Sequence, residues 1–143
     1  MYEVLRNHLP SDFDGYSNLQ AEVKIEDGSR IDFCLSQQEK RFWIEVKSAT
    51  YLLKEGVAGF PDSKTKRGAK HLQSLIRKVN SGDRACLVYL IGRTDAQTVV
   101  PASEIDPVYA EQVKLAKDAG VQFFCLTTDI NPQGILPIHW KRL

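Results

Sequence analysis

The chain has 143 residues, with 19 Lys and Arg against 18 Asp and Glu, and is 43% apolar and 26% charged. That length suits a single domain, residues 1–143, which buries its own core, and the composition is that of an ordinary folded protein. Near-neutral charge excludes attraction to polyanions by overall charge alone. No apolar run is long enough to span a membrane and no basic-then-apolar leader opens the chain, so a cytoplasmic protein without a membrane partner is expected. Cys34, Cys86 and Cys125 each lie within an apolar, strand-like run, without the paired spacing of a zinc or redox site. They are expected as buried, reduced thiols. His8, His71 and His139 are scattered, which argues against a histidine-ligated transition metal.

Residues 1–9 place Met1, Val4, Leu5 and Leu9 at helical spacing and stop at Pro10, which predicts a short N-terminal helix. Residues 11–17 are turn-rich. Residues 19–25 alternate, with Leu19, Ala21, Val23 and Ile25 on one face and Gln20, Glu22 and Lys24 on the other, a first strand. Glu26-Asp27-Gly28 turns into a second strand at residues 29–35. The polar stretch 36–40 makes a hairpin to a third strand at residues 42–47. Residues 48–60, with Gly56 and Gly59, read as an irregular connection.

Ser63 or Thr65 caps a helix whose apolar stripe is Leu72, Leu75, Ile76 and Val79, and Ser81-Gly82 ends it. Arg77 and Lys78 fall near its C-terminus, where cations stabilise a helix. Residues 85–91 form a continuously apolar strand expected at the sheet centre. Asp106-Pro107 opens another helix, with Gly120 beyond its end. Residues 121–126 are a buried strand, and 135–140 a short edge strand limited by Pro137. This order predicts an α/β fold, a mixed sheet flanked by helices.

Within that frame Glu45 and Lys47 share one face of the third strand, and a hairpin puts Asp32, thirteen positions upstream of Glu45, beside them. Two carboxylates and an ammonium gathered on a strand are costly unless a cation neutralises the acids. A hard divalent ion is the natural occupant, since Mg²⁺ takes one or two carboxylates and leaves positions for water and phosphate. An acid two residues before a lysine occurs three times, at Glu22-Lys24, Glu45-Lys47 and Asp62-Lys64. Only Glu45-Lys47 ends an apolar strand with an upstream aspartate, and a basic helix follows it. Between residues 63 and 80 lie Lys64, Lys66, Arg67, Lys70, Arg77 and Lys78 with no acid among them. The helix start therefore reads as a phosphate-facing surface, where free amides, Lys64, Lys66, Arg67, Lys70 and the Thr65 hydroxyl converge. Asp62 either approaches the same cleft or caps the helix. His71 flanks the apolar stripe, and Arg30 shares the face of Asp32.

The runs Ser29-Arg30-Ile31-Asp32-Phe33, Glu45-Val46-Lys47-Ser48-Ala49-Thr50 and Phe60-Pro61-Asp62-Ser63-Lys64-Thr65-Lys66-Arg67-Gly68-Ala69-Lys70-His71-Leu72 resemble the sugar fermentation stimulation (SfsA) family. Gly82-Asp83-Arg84-Ala85, residues 105–110 and Ala119-Gly120-Val121 extend the likeness over nearly the whole chain. The resemblance implies a restriction-endonuclease-like PD-(D/E)xK fold, an αβββαβ core with an additional helix and strand, and DNA as partner in a bacterial or archaeal cytoplasm. It maps the metal-binding and catalytic acids onto Asp32 and Glu45, and the lysine onto Lys47. Glu22 matches a further acidic position of the family. Members usually carry an oligonucleotide-binding-like β-barrel before this domain, which the resemblance does not lead one to expect within these 143 residues.

The expected activity is metal-dependent, largely sequence-independent hydrolysis of DNA. Asp32, Glu45 and the Val46 backbone carbonyl would hold Mg²⁺ or Mn²⁺, Lys47 would orient the attacking water, and Glu22 is a supporting or second-metal candidate. Arg30, Asp62, Lys64, Thr65, Lys66, Arg67, Lys70 and His71 form the candidate nucleic-acid surface. The alternative is a non-catalytic DNA-binding regulatory module. Oligomeric state is left open, a homodimer being compatible with the chain.

Overall fold

A computed structural model describes residues 1–131 and 133–143. Helix α1 (Tyr2–Asn7) and a 3-10 turn (Ser11–Phe13) lead into the strands β1 (Asn18–Lys24), β2 (Arg30–Gln37) and β3 (Lys40–Ala49). Then come β4 (Tyr51–Lys54), β5 (Gly56–Phe60), α2 (Lys66–Asn80), β6 (Arg84–Ile91) and β7 (Ala96–Pro101). Helix α3 (Pro107–Ala119) and the strands β8 (Gln122–Asn131) and β9 (Gly134–Arg142) complete the chain. The main sheet is six-stranded, in the order β1-β2-β3-β6-β8-β9, and β4-β5-β7 form a three-stranded sheet beside it. Strands β3, β6 and β8 run parallel while the outer pairs are antiparallel, the mixed sheet expected. Among the described residues no helix is long and apolar enough to cross a membrane.

Alternation along the strands sends side chains into two apolar layers. Trp43, Leu87, Tyr89 and Phe123 pack under α2 and α3 with Leu72, Leu75, Tyr109 and Val113. On the opposite face Phe42, Ile44, Val88 and Phe124 pack against Leu5 of α1 and against Phe13. Strand β6, buried on both faces, lies centrally as its unbroken apolar run demands. Cys34, Cys86 and Cys125 are free and buried within these layers.

Four features differ from the sequence expectation. Residues 48–60 are not an irregular connection, because β4 and β5 pair there, and β5 runs parallel to β7, which the sequence reading leaves out. Short strands built around Gly56 and Gly59 carry little apolar alternation, so turn residues hide them. Gly59 is needed for close packing, since a Cβ there would lie 2.9 Å from the Tyr51 ring. Second, β9 is longer than the strand expected at residues 135–140, and its pairing with β8 shifts between Thr127 and Thr128, opposite His139 and Pro137. An irregularity at that point accommodates a proline that has no N–H for the ladder.

Third, residues 19–25 do not keep one apolar face. Leu19 joins the α1 layer, whereas Val23 and Ile25 join the layer under α2. Glu22 adopts a left-handed φ of 53°, and the ladder steps over it, from Ala21↔Phe33 to Val23↔Ile31. The β1–β2 ribbon thus rolls over at Glu22 and Asp32. A non-glycine residue in that conformation costs about 1–2 kcal/mol, and such strain concentrates where a site needs it. Fourth, Arg77 and Lys78 do more than stabilise their helix end. Arg77 bonds Asp27 at 2.7 Å, and buried Lys78 bonds Glu26 at 2.8 and 2.9 Å while lying 4.4 Å from the Trp43 ring centroid. They clip the β1–β2 turn onto α2.

Gln38, at the tip of the β2–β3 hairpin, also has a left-handed φ, 55°. Gln38→Gly should therefore stabilise the protein by up to about 1 kcal/mol, read as a higher denaturant midpoint at unchanged slope. An unchanged or lower midpoint would show that this turn is not strained.

Candidate active site

The site begins where a ladder ends. Pairing of β2 with β3 runs from Gln37↔Lys40 to Phe33↔Ile44 and stops, while β1–β2 continues to Arg30 and β3–β6 to Ala49. In this opening Asp32 lies opposite Glu45 by register, as the hairpin predicts. Side chains take over the work of the missing ladder. Val46 N donates to Asp32 Oδ2 at 2.8 Å, and Asp32 N donates to Glu45 Oε2 at 3.4 Å. Backbone donors that would otherwise stand unpaired in a part-buried gap are thereby satisfied.

Glu45 and Lys47 project from β3 toward α2, on the side of Trp43 and Ala49. Glu45 is 1% exposed, and its Oε1 accepts both from Lys47 Nζ at 2.5 Å and from His71 Nδ1 on α2. Burial opposes its charge, but the His71 bond and the Lys47 ammonium outweigh that, and its pKa falls below the ordinary value. Asp32 moves the other way. Burial first, and then the Glu45 charge beside it, push its carboxyl above the ordinary value despite the Val46 bond. Two neighbouring carboxylates are thus held apart in acidity. Beneath them Tyr89 and Tyr109 share a buried hydroxyl contact of 2.8 Å. Burial, reinforced at Tyr109 by the neighbouring Tyr89 hydroxyl and the Glu45 charge, keeps both phenols protonated.

The donor chemistry fits a hard divalent ion in kind: two carboxylates, with the Val46 carbonyl on the strand edge whose N–H already faces Asp32. Among the described residues no three His, Cys, Asp or Glu side chains converge as a ready-made ligand cluster. His71 and Lys47 occupy Glu45 Oε1, so Oε2 and the Asp32 carboxylate are the oxygens turned toward the strand opening.

Next to the acids, Glu22, Gly28, Ser29, Arg30, Arg67, Lys70 and His71 line an open groove of about 560 Å³. Glu22, Arg30, Arg67, Lys70 and His71 are therefore brought together. Lys64 and Lys66 are exposed at the approach to α2, outside this lining. Asp62 does not cap α2; it is exposed and accepts a hydrogen bond from Ser63 Oγ at 3.4 Å. The cap is Thr65, whose Oγ1 accepts from Gly68 N at 2.9 Å. The helix start is not an open set of amides either. Buried Asp106 accepts from Thr65 N at 2.8 Å and from Tyr109 N at 2.9 Å, which sets a carboxylate beside the start of α2. The groove itself holds the cationic side chains Arg30, Arg67 and Lys70.

His71 is the residue whose place sequence reasoning misses. It is 4% exposed, bonded to Glu45, and one of the residues lining the groove. Its only sequence signal is position: it precedes Leu72 at the margin of the buried stripe.

The chain matches the family described as "Sugar fermentation stimulation protein RE domain" over residues 1–134. It is 48% identical over 122 residues to a sugar fermentation stimulation protein homolog of Roseobacter denitrificans, covering 85% of this chain and 52% of that one. The Bartonella henselae homolog is 34% identical over 142 residues, 99% of this chain and 60% of that one. The structure of Pyrococcus furiosus SfsA in complex with Ca²⁺ superposes with a TM-score of 0.86 at 26% identity, over 96% of this chain and 59% of that one. The chain thus spans a little over half the length of these relatives.

The raised pKa of Asp32 has a stability consequence. A carboxyl with a folded pKa above its unfolded one loses stabilisation as pH rises from the ordinary value of 3.8 through the raised one. At neutral pH, without divalent ions, ionised Asp32 therefore destabilises the fold. Asp32→Asn, which keeps an acceptor for Val46 N, should raise the Tm at pH 7, and the gain should shrink toward pH 4. A pH-independent change would mean that charge is not the cause.

Proposed function

The chain belongs to the sugar fermentation stimulation (SfsA) family, and from that premise we propose that it is a metal-dependent nuclease domain acting on DNA with little sequence preference. The observation that carries this reading is the convergence of Asp32, Glu45 and Lys47 in the gap where β2 and β3 part. Satisfying the two backbone donors of the gap needs only hydrogen-bond acceptors, not two carboxylates and an ammonium gathered at one point. Cleaving a phosphodiester, by contrast, needs negative oxygens and a positioned cation at one point.

Asp32, Glu45 Oε2 and the Val46 carbonyl would hold Mg²⁺ or Mn²⁺, as the Ca²⁺ complex of the Pyrococcus protein encourages. Bound there, the ion would neutralise phosphate charge and acidify water. Lys47, held on Glu45, orients the attacking water and faces the charge that builds on the phosphate. Arg67 and Lys70 on α2 and Arg30 on β2 draw in the backbone through phosphate contacts that read no bases. Glu22, opposite Asp32 on the rolled ribbon, supports the acidic side of the groove.

Purified protein incubated with labelled single- and double-stranded DNA, with and without Mg²⁺ or Mn²⁺, tests the reading. Metal-dependent cleavage is expected, and Asp32→Ala and Lys47→Ala should each lower its rate by roughly 10²–10³-fold. Metal-independent retention of DNA without cleavage would favour a binding module instead. Arg67→Ala and Lys70→Ala should weaken binding on every sequence alike, each reducing the salt slope of log K by about one.

A further inference from the structure

One wall of the cationic groove is not built into the sheet. Glu22, Gly28, Ser29 and Arg30 belong to the β1–β2 ribbon, whereas Arg67, Lys70 and His71 belong to α2. Beyond Phe33↔Ile44 the ribbon has no ladder to β3, so side chains set its spacing from α2. Val23, Ile25 and Ile31 pack into the layer under the helix. Apolar contacts of that kind are non-directional, and they fix the height of the ribbon better than its lateral position. Between turn and helix a cleft of about 300 Å³ stays open, lined by Ile25, Ser74 and Ser81 and by the charged residues that span it.

Those charged residues form a two-point clip. Asp27 Oδ1 accepts from Ser29 N at 2.9 Å and from the Ser29 hydroxyl. Its Oδ2 accepts from Arg77 at 2.7 Å and from Ser74 Oγ at 3.4 Å. One carboxylate thus ties a groove residue of the ribbon to the helix that carries the opposite wall. Bonds from Ser29 hold that carboxyl down at about 2, so the tie is ionised throughout the neutral range. Glu26 supplies the second point, with both of its oxygens on Lys78 Nζ, and Lys78 is buried against Trp43. Glu26, Asp27, Arg77 and Lys78 are not themselves among the residues that line the groove.

We infer that Glu26 and Asp27 are positioning residues, which hold Arg30 on the ribbon at a fixed span from Arg67 and Lys70 on α2. The three cations then meet one phosphate backbone together. This rests on the reading of the groove as the seat of that backbone. Charge alone predicts the opposite behaviour, since removing an acid beside a cationic groove draws a polyanion in more strongly. With the span set by the clip, removing either acid weakens binding, because the cations no longer reach the backbone at once.

Affinity for a short DNA oligonucleotide in EDTA, followed over a series of salt concentrations, separates the two. Glu26→Ala and Asp27→Ala should each weaken binding roughly threefold to tenfold and lower the salt slope of log K by about one. Glu26→Gln and Asp27→Asn remove the same charge but keep an acceptor for Lys78 and for Ser29, and should retain more affinity than the alanine variants. Both positions lie on the exposed turn of the ribbon, and thermal melts verify that each variant folds. A second readout needs no DNA. Nitroxide labels on Lys24→Cys and Gln73→Cys, two exposed positions, report the span from ribbon to helix, the native cysteines being buried. Their distance distribution should broaden when Glu26→Ala is added. The inference is overturned if the alanine variants bind as tightly as the unmodified protein or more tightly, or if the label distances do not change. Should the labels respond while the unmodified protein holds no oligonucleotide, the nuclease reading falls and the clip's hold on the groove is upheld.

Discussion

The opening between β2 and β3, closed by the exchange of bonds between Asp32 and the Glu45–Val46 segment, is the constraint on which the rest of this structure depends. Were the two strands to pair along their full length, the ladder would consume the Val46 and Asp32 backbone groups and leave no edge to face a ligand. Were they to part without the exchange, buried donors would stand unsatisfied at a cost of about 1–3 kcal/mol each. The acids resolve this by acting as surrogate backbone. The same two side chains thus serve folding and the proposed chemistry, and their geometry is set before any ligand arrives.

That double service explains the electrostatic pattern. Glu45 is deep and answered by Lys47 and His71, so it stays ionised. Asp32, with one backbone donor and an ionised neighbour, bears the repulsion. A cation between them would relieve the partner under strain and leave the settled one in place. The strained backbone at Glu22 lies at the matching point on the next strand, so conformational and electrostatic tension meet at one level of the sheet.

Much of this was legible in the chain. Apolar alternation locates β2 and β3, and their pairing as a hairpin puts Asp32 beside Glu45. Capping chemistry located both long helices, with Thr65 and Asp106 at their starts. What stayed hidden has physical reasons. The strands β4, β5 and β7 are short, and β5 carries two glycines, so their pairing partners rather than their own patterns make them strands. The rollover at Glu22 breaks a clean alternation that the sequence displays, because a single left-handed residue reverses every later side chain without leaving a mark in composition. His71 and Glu45 are 26 positions apart, on a helix and a strand, and only the packing of α2 on the sheet joins them.

Asp106 carries a last consequence. Its two carboxylate oxygens are tied to the first amides of separate helices, Thr65 at the head of α2 and Tyr109 in α3. One buried side chain therefore acts as a rivet through both, and the placing of α2 against α3 is set by a joint rather than by a hinge. The cationic flank of α2 is thereby carried by two helices fastened at their heads, so its position depends on a carboxylate that lies outside α2 altogether.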